Sequence, residues 1–217
     1  NHIWFEGKKF SMEVRERFAK YVGSTVEKVE EKPIEYSRYS KYNALCNRLI
    51  RNGYPNVKDH QYYPTPNEIV ESIQSYLGEQ AVSDSIKVLE PSAGSGNLAS
   101  VFNANVVDCV EVSPLFCEVL KTKGFVEITN ADFLKFNTNN KYDFIVMNPP
   151  YANKRLESHL THALTMLGEN GELLIVAPTG KEKTIREIAV NKSVNIISNH
   201  ENVFDDTAIH TSVYSIS

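Results

Sequence analysis

Residues 86–99, "IKVLEPSAGSGNLA", decide the fold. A short apolar run, Ile86 to Glu90, gives way to a loop that carries Gly94 and Gly96 before the chain continues into Asn97 and Leu98. Glycines at this spacing let the backbone come close to a ligand and open the next helix, whose N-terminal amides favour negative charge. Strand, glycine turn and helix start, in that order, form the first half of a β-α-β unit.

The same rhythm repeats downstream. "VVDCVE" (106–111), "FVEIT" (125–129), "DFIVM" (143–147) and "ELLIVAP" (172–178) are short apolar runs, with helical segments between most of them. One such segment, "SPLFCEVLKTKG", offers Ser113 as a cap followed by Pro114. "VNIISN" (194–199) and "HTSVYSIS" (210–217) supply two more strands, the last close enough to its predecessor to run antiparallel. Continuous apolar strands separated by helices predict an α/β fold: a Rossmann-like, seven-stranded, mostly parallel sheet with helices on both faces and an antiparallel last strand. Upstream, "TPNEIVESIQSYLG" carries a full set of helix signals, with Thr65 as cap, Pro66 at the first helical position, Glu68 completing a capping box and Gly78 as stop.

The division expected is a small helical extension over 1–60 and a catalytic domain over 61–217. Residues 11–22 and 40–52 both read as helices of the extension. With 217 residues, 41% hydrophobic and 23% charged, the composition is that of a soluble globular protein. No apolar run approaches the ~20 residues of a membrane span, and no signal-peptide pattern opens the chain, so a cytoplasmic protein with no membrane partner is expected. Cys46, Cys109 and Cys117 lack the C-x-x-C spacing of metal or redox sites and read as reduced structural thiols. Net charge is −4, but it is unevenly spread: residues 1–60 hold 12 Lys+Arg against 8 Asp+Glu. The stretch from Tyr36 to Lys58 contains Arg38, Lys41, Arg48, Arg51 and Lys58 with no acid, interleaved with Tyr39, Tyr42 and Tyr54. Cations meet phosphates and tyrosines stack on unpaired bases, so this segment is a candidate nucleic-acid surface; as a helix burying Leu45, Leu49 and Ile50 it equally fits a docked element with a solvated basic face.

"DFIVMNPPY", residues 143–151, holds the most specific chemistry. Prolines cannot continue a central strand, so the strand stops at Met147 or Asn148 and a stiff elbow carries Asn148 and Tyr151. In a sheet of this kind ligands bind beyond the carboxyl ends of the strands, where the strand order reverses. Glu111, at the end of the second strand, stands where ribose hydroxyls are read; a solvated strand-end carboxylate is the plainer alternative. Gly94, Gly96 and Ala99 also satisfy the dinucleotide fingerprint G-x-G-x-x-G/A, so the glycine loop alone leaves the cofactor open.

Taken together, "EPSAGSGNL", "VEVSP", "ADFLKF" and "NPPY" resemble, in that order, the motifs of class I S-adenosylmethionine-dependent methyltransferases acting on exocyclic amino groups, most closely the N6-adenine-specific DNA methyltransferases. "YYPTPNEIV" looks like the motif placed before the glycine loop in this chain order, and "NVFDDTAIHTSVYSIS" like the closing motif and hairpin. The resemblance covers residues 61–217 and implies S-adenosyl-L-methionine as cofactor, duplex DNA with a flipped adenine as substrate, and no metal. It implies that Asn148, Pro149, Pro150 and Tyr151 form the catalytic elbow. The Asn148 side-chain carbonyl and the Pro149 backbone carbonyl would accept the amine's hydrogens and free its lone pair, and Tyr151 would stack on the base. It assigns Glu90, Pro91, Ala93, Gly94 and Gly96 to the cofactor's methionine end, Glu111 to its ribose, and Asp132 with Phe133 to its adenine. Tyr63, Thr65 and Pro66 would close over the cofactor, and Asn148 borders it. Phe204 is either a second aromatic wall for the flipped base or a core residue before the last hairpin. Lys154 and Arg155, beside the elbow, are a further place for DNA phosphates.

RNA adenine methyltransferases and enzymes that methylate protein glutamine face the same lone-pair problem and use close variants of the elbow. A methyltransferase-like subunit that binds nucleic acid without transferring methyl groups is the reading from another class; damage to the glycine or elbow motif would mark it, and neither is damaged here. Many DNA adenine methyltransferases of this motif order carry a large target-recognition domain after the last strand. Target recognition is therefore expected from the N-terminal extension, from loops such as "YANKRLESH", or from a separate specificity or partner subunit.

Overall fold

The computed structural model describes residues 4–5, 8–9, 64–201, 204 and 210–217. The chain divides into two compact units, Asn1–Pro64 and Thr65–Ser217. In the first, Trp4–Phe5 pairs antiparallel with Lys8–Lys9, a short hairpin that hydrophobic periodicity did not signal. The helices expected at 11–22 and 40–52 lie outside the described residues.

The second unit runs α1 (Asn67–Leu77), β1 (Val88–Glu90), β2 (Val107–Glu111), α2 (Pro114–Thr122), β3 (Glu127–Asn130), β4 (Tyr142–Met147), α3 (Arg155–Leu164), β5 (Leu167–Pro178), α4 (Glu182–Ile188), β6 (Val194–His200) and β7 (Thr211–Ile216). The seven strands form one sheet in the order β3-β2-β1-β4-β5-β7-β6. Strands β1 to β5 pair in parallel. β7 inserts between β5 and β6 and runs antiparallel to both. The predicted sheet, including its antiparallel last strand, is the one observed.

Side chains along the strands alternate between two cores, as a period of two requires. Val88, Phe144, Val146, Leu174, Val176 and Val213 face one side, where Ile69, Ile73 and Leu77 of α1 and Leu120 of α2 cover them. Leu89, Ile145, Met147, Leu173, Ile175 and Tyr214 face the other, under Leu156 and Leu160 of α3 and Ile185 of α4. Each fully buried side chain of this kind contributes roughly 1.5–3 kcal/mol. Burial on both faces is why the strands read as unbroken apolar runs. β3 is the exception: it lies at the sheet edge, and its residues are mostly exposed.

Three local expectations are corrected. The helix that stops at Gly78 begins at Asn67 with Pro66 as its N-cap, and no side chain caps it. Glu68, expected in a capping box, instead pairs with Nδ1 of His200 at 3.0 Å, and Nε2 of His200 lies 2.8 Å from Ser198 Oγ, so the residue ties α1 to β6. The glycine loop opens only a single 3-10 turn, Ala99–Val101, rather than an α-helix. The Ala99 amide that would begin a helix donates to the Glu90 carboxylate at 2.7 Å, and the chain returns to β2 by Val107. The helix-dipole argument for anion binding at this loop therefore falls away. By contrast, α2 begins as read, with Ser113 accepting the Phe116 amide and Pro114 in the first turn.

Among the described residues no helix is long and apolar enough to cross a membrane. Cys109 and Cys117 are free and buried, and burial first of all pushes both thiols up, Cys117 to about 11. Cys46 lies outside the described residues.

Candidate active site

The strand order reverses between β1 and β4, and both strands deliver their carboxyl ends to the same crevice. β1 ends in Glu90 and passes into the glycine loop; β4 ends at Met147 and passes into Asn148, as the two prolines dictate.

The loop is built by backbone geometry that side chains resist. Gly94 has φ 51° and Gly96 φ 78°, both left-handed. The Gly96 amide donates to the Ala93 carbonyl at 2.7 Å, closing the turn. A Cβ on Gly96 would meet Leu120 Cδ2 at 2.6 Å and Phe125 Cε2 at 3.0 Å. The core under the loop thus requires a glycine at Gly96, in addition to any close approach of its backbone to a ligand.

Two carboxylates stand behind the loop, both buried: Glu90 at 3% and Glu111 at 7% exposure. Glu111 Oε2 accepts the Gly94 amide and Oε1 accepts the Ser113 amide, each at 2.7 Å. The acid read as a ribose ligand also holds the loop in shape. Burial raises the Glu90 carboxyl well above its ordinary value; the Ala99 amide opposes this and the Glu111 charge adds to it. Pro91, Ala93, Gly94 and Gly96 are buried along the same loop. Beyond β3, Asp132 is exposed and accepts the Leu134 amide at 3.1 Å. Phe133 departs from expectation. Its ring is buried at 3% exposure and packs 5.5 Å from His159 and 4.8 Å from His162, so it supports the loop from inside the core rather than presenting a face to a ligand.

At the elbow, Asn148 Nδ2 donates to Thr65 Oγ1 at 3.1 Å, and Tyr151 Oη donates to Asn148 Oδ1 at 2.6 Å. Thr65, expected as a helix cap, has its hydroxyl on the asparagine instead. Burial raises the Tyr151 phenol, which keeps it protonated and a donor. Pro149 is buried and Pro150 half-buried. Immediately after, Asn153 and Lys154 are both left-handed, at φ 55° and 59°, and Arg155 begins α3. Such residues cost on the order of 1 kcal/mol or more each and gather at functional loops. Lys154 and Arg155 are exposed beside the elbow.

Phe204 is buried at 8% exposure within the first core, so of its two readings the structure places the side chain in the core. Tyr63, Arg38, Lys41, Arg48 and Arg51 lie outside the described residues. Asn97 was missed by the sequence reading. Its Nδ2 donates to the Thr65 carbonyl at 3.0 Å, joining the glycine loop to the elbow's support. Its partner stands 32 residues away in the chain, so no local signal pointed to it.

The crevice therefore presents acceptors: two buried carboxylates, an exposed aspartate and the elbow's carbonyls. That set suits a cationic ligand rich in hydroxyl and amino donors, and S-adenosylmethionine is one, with its ammonium, ribose hydroxyls and adenine amine. Fold and crevice together fit a class I S-adenosylmethionine-dependent methyltransferase, and the family match bears this out. The model of the methyltransferase small domain family matches residues 79–202, more than half of the chain, and the chain belongs to that family. It is 31% identical over 91 residues to the type II methyltransferase M.CvrRI of Paramecium bursaria Chlorella virus XZ-6E, covering 40% of this chain and 23% of the viral protein. It is likewise 31% identical over 88 residues to a tRNA1(Val) (adenine(37)-N6)-methyltransferase of Aliivibrio fischeri, covering 36% of this chain and 38% of that one. The chain thus spans well under half the length of these relatives. Among solved structures, magnesium protoporphyrin IX methyltransferase of Synechocystis with bound S-adenosylmethionine superposes with TM-score 0.56 at 11% identity, over 95% of this chain and 91% of that one, a likeness of fold alone.

Proposed function

We propose that the protein methylates the exocyclic N6 amine of adenine in DNA, with the target base flipped into the crevice at the Asn148–Tyr151 elbow. The observation that carries this reading is the placement of Asn148: a side-chain carbonyl at the carboxyl end of β4, beside the glycine loop, on a backbone stiffened by Pro149 and Pro150. An adenine amine is a poor nucleophile because its lone pair is delocalised into the ring. Acceptance of its two hydrogens by Asn148 Oδ1 and the Pro149 carbonyl draws the nitrogen toward tetrahedral geometry. Preorganised groups of this kind are worth roughly 10²–10³ in rate each.

When bound, S-adenosylmethionine would supply an electrophilic methyl group to the amine held by Asn148 and Pro149: the amine lone pair would bond the methyl carbon, the sulfur would leave with the C–S electrons, and the extra amine proton would pass to solvent. On this reading Glu90, Pro91, Ala93 and Gly94 line the methionine end, Glu111 takes the ribose hydroxyls and Asp132 the adenine amine. Tyr151 stacks on the flipped base, which offsets part of the few kcal/mol that flipping costs. Arg38, Lys41, Arg48 and Arg51 are one candidate phosphate surface, and Lys154 and Arg155 beside the elbow are another.

The partial similarity to a viral type II methyltransferase supports DNA, and the similarity to a tRNA adenine methyltransferase is the specific observation favouring RNA as second reading. One assay separates them. The chain is incubated with methyl-labelled cofactor and, in parallel, duplex DNA, single-stranded DNA, RNA and protein, and the labelled product is digested and identified. Label in N6-methyladenine from duplex DNA is expected. Label confined to RNA or to glutamine would replace the reading.

A further inference from the structure

An asparagine can face a substrate with either end of its amide. Rotation by 180° about the last side-chain bond exchanges Oδ1 and Nδ2, and the two ends have opposite hydrogen-bonding character. An amine substrate needs the oxygen. A nitrogen facing it would put donor against donor, so something must select the orientation.

Two hydroxyls bound to Asn148 divide this task unequally. Tyr151 Oη lies 2.6 Å from Oδ1, on the side where the amine must arrive, so it leaves when substrate enters. Thr65 Oγ1 lies 3.1 Å from Nδ2, on the opposite end of the amide. Thr65 is buried at 6% exposure, and its own carbonyl accepts Asn97 Nδ2 at 3.0 Å. Asn97 in turn follows Gly96 in the glycine loop, and Ser95 Oγ bonds its Oδ1 at 3.1 Å. Thr65 is therefore fixed from the cofactor side and reaches the elbow with its hydroxyl.

We propose that Thr65 is the positioning residue of Asn148: its hydroxyl oxygen accepts the amide N–H and so holds Oδ1 toward the incoming amine. The Thr65 and Tyr151 partners of Asn148 are both hydroxyls, each able to donate or to accept. Once an amine replaces the Tyr151 hydroxyl, Oδ1 must face the amine and Nδ2 an acceptor, which the Thr65 hydroxyl oxygen supplies. The same residue makes a hydrogen-bonded chain, Asn97–Thr65–Asn148, between the loop assigned to the cofactor and the loop assigned to the substrate. The inference rests on the reading of Asn148 Oδ1 as the amine's acceptor.

Thr65→Val keeps the shape and removes the acceptor; Thr65→Ser keeps the acceptor. With whichever nucleic acid the wild-type chain methylates, Thr65→Val is expected to lower kcat on the order of 10- to 100-fold, the effect of losing one part-buried hydrogen bond to the acting amide. Cofactor Kd by calorimetry stays within about threefold of wild type, because the hydroxyl removed is engaged with Asn148. Thr65→Ser restores most of the turnover. A second readout needs no substrate. In 15N-labelled protein, the Asn148 side-chain amide, assigned by its loss in Asn148→Asp, should exchange its protons faster in Thr65→Val than in wild type or Thr65→Ser. Unchanged kcat with weakened cofactor binding would make Thr65 a cofactor contact and overturn the proposal, as would an Asn148 amide indifferent to Thr65→Val. If the wild-type chain methylates no amine, the proposed function fails by itself, and the exchange measurement still decides whether Thr65 holds Asn148.

Discussion

The Tyr151 hydroxyl donates to Asn148 Oδ1 at 2.6 Å, so the elbow's acceptor is capped by the elbow's own aromatic residue. The ring read as a stacking platform and the amide read as a hydrogen-bond acceptor are in contact before any substrate arrives. A base that enters must exchange one hydrogen bond for another, and the displaced phenol must turn its ring to the base. The two left-handed residues Asn153 and Lys154 lie just downstream, where a change in loop conformation is least opposed by regular hydrogen bonding.

Tyr151→Phe is the direct test of that cap. It keeps the ring and removes the hydroxyl, so turnover should stay within about threefold of wild type while substrate KM falls or holds. Tyr151→Ala should lower kcat/KM by roughly 10- to 100-fold, matching the ~1–3 kcal/mol of one base–aromatic stack. A Phe variant as impaired as the Ala variant would show that the hydroxyl acts in the reaction itself.

Gly96→Ala distinguishes a loop shaped by its core from one shaped by its ligand. The new Cβ would clash with Leu120 at 2.6 Å on a backbone with φ 78°, and overpacking with left-handed strain predicts a loss of about 2–4 kcal/mol in urea denaturation. Cofactor affinity of the folded fraction should change little. Full stability with abolished cofactor binding would place ligand, rather than Leu120 and Phe125, against this glycine.

Glu90 carries a pH signature. Its carboxyl is raised well above the ordinary value, chiefly by burial. A raised folded-state value means that its favourable contribution is fully present below the unfolded carboxyl range and is lost as pH rises through the folded value. Glu90→Gln, neutral at every pH, should therefore gain stability relative to wild type between about pH 5 and pH 8, with the two proteins converging at about pH 4. Thermal melts across that range measure it. Cofactor binding should weaken in the same variant, since on the proposed reading the acid is retained for the ligand at a cost to the fold. A variant that melts lower than wild type at pH 8 would show the acid to be stabilising instead.

Much of this site was readable because chain chemistry forced it. Pro149 and Pro150 cannot sit in a ladder, so the end of β4 followed from composition alone, and the Ser113–Pro114 pair fixed the start of α2. Two-sided burial made the central strands visible as apolar runs. What failed had competing partners. Thr65 and Glu68 carry the residue types of a capped helix, but Asn148 and His200, far away in sequence, claim their side chains. Phe133 follows the motif's acid as expected, yet the two histidines of α3 draw its ring inward. Local pattern cannot weigh such tertiary partners, and Asn97 went unnoticed for the same reason.

The central claim is that Asn148 accepts the substrate amine, and one measurement tests it most directly: single-turnover methyl transfer by Asn148→Ala beside wild type, with cofactor Kd measured on both. The account predicts a rate lowered by roughly 10²–10³ with cofactor affinity close to wild type, because the amide acts on the amine in the transition state. Near-normal transfer by Asn148→Ala would contradict it.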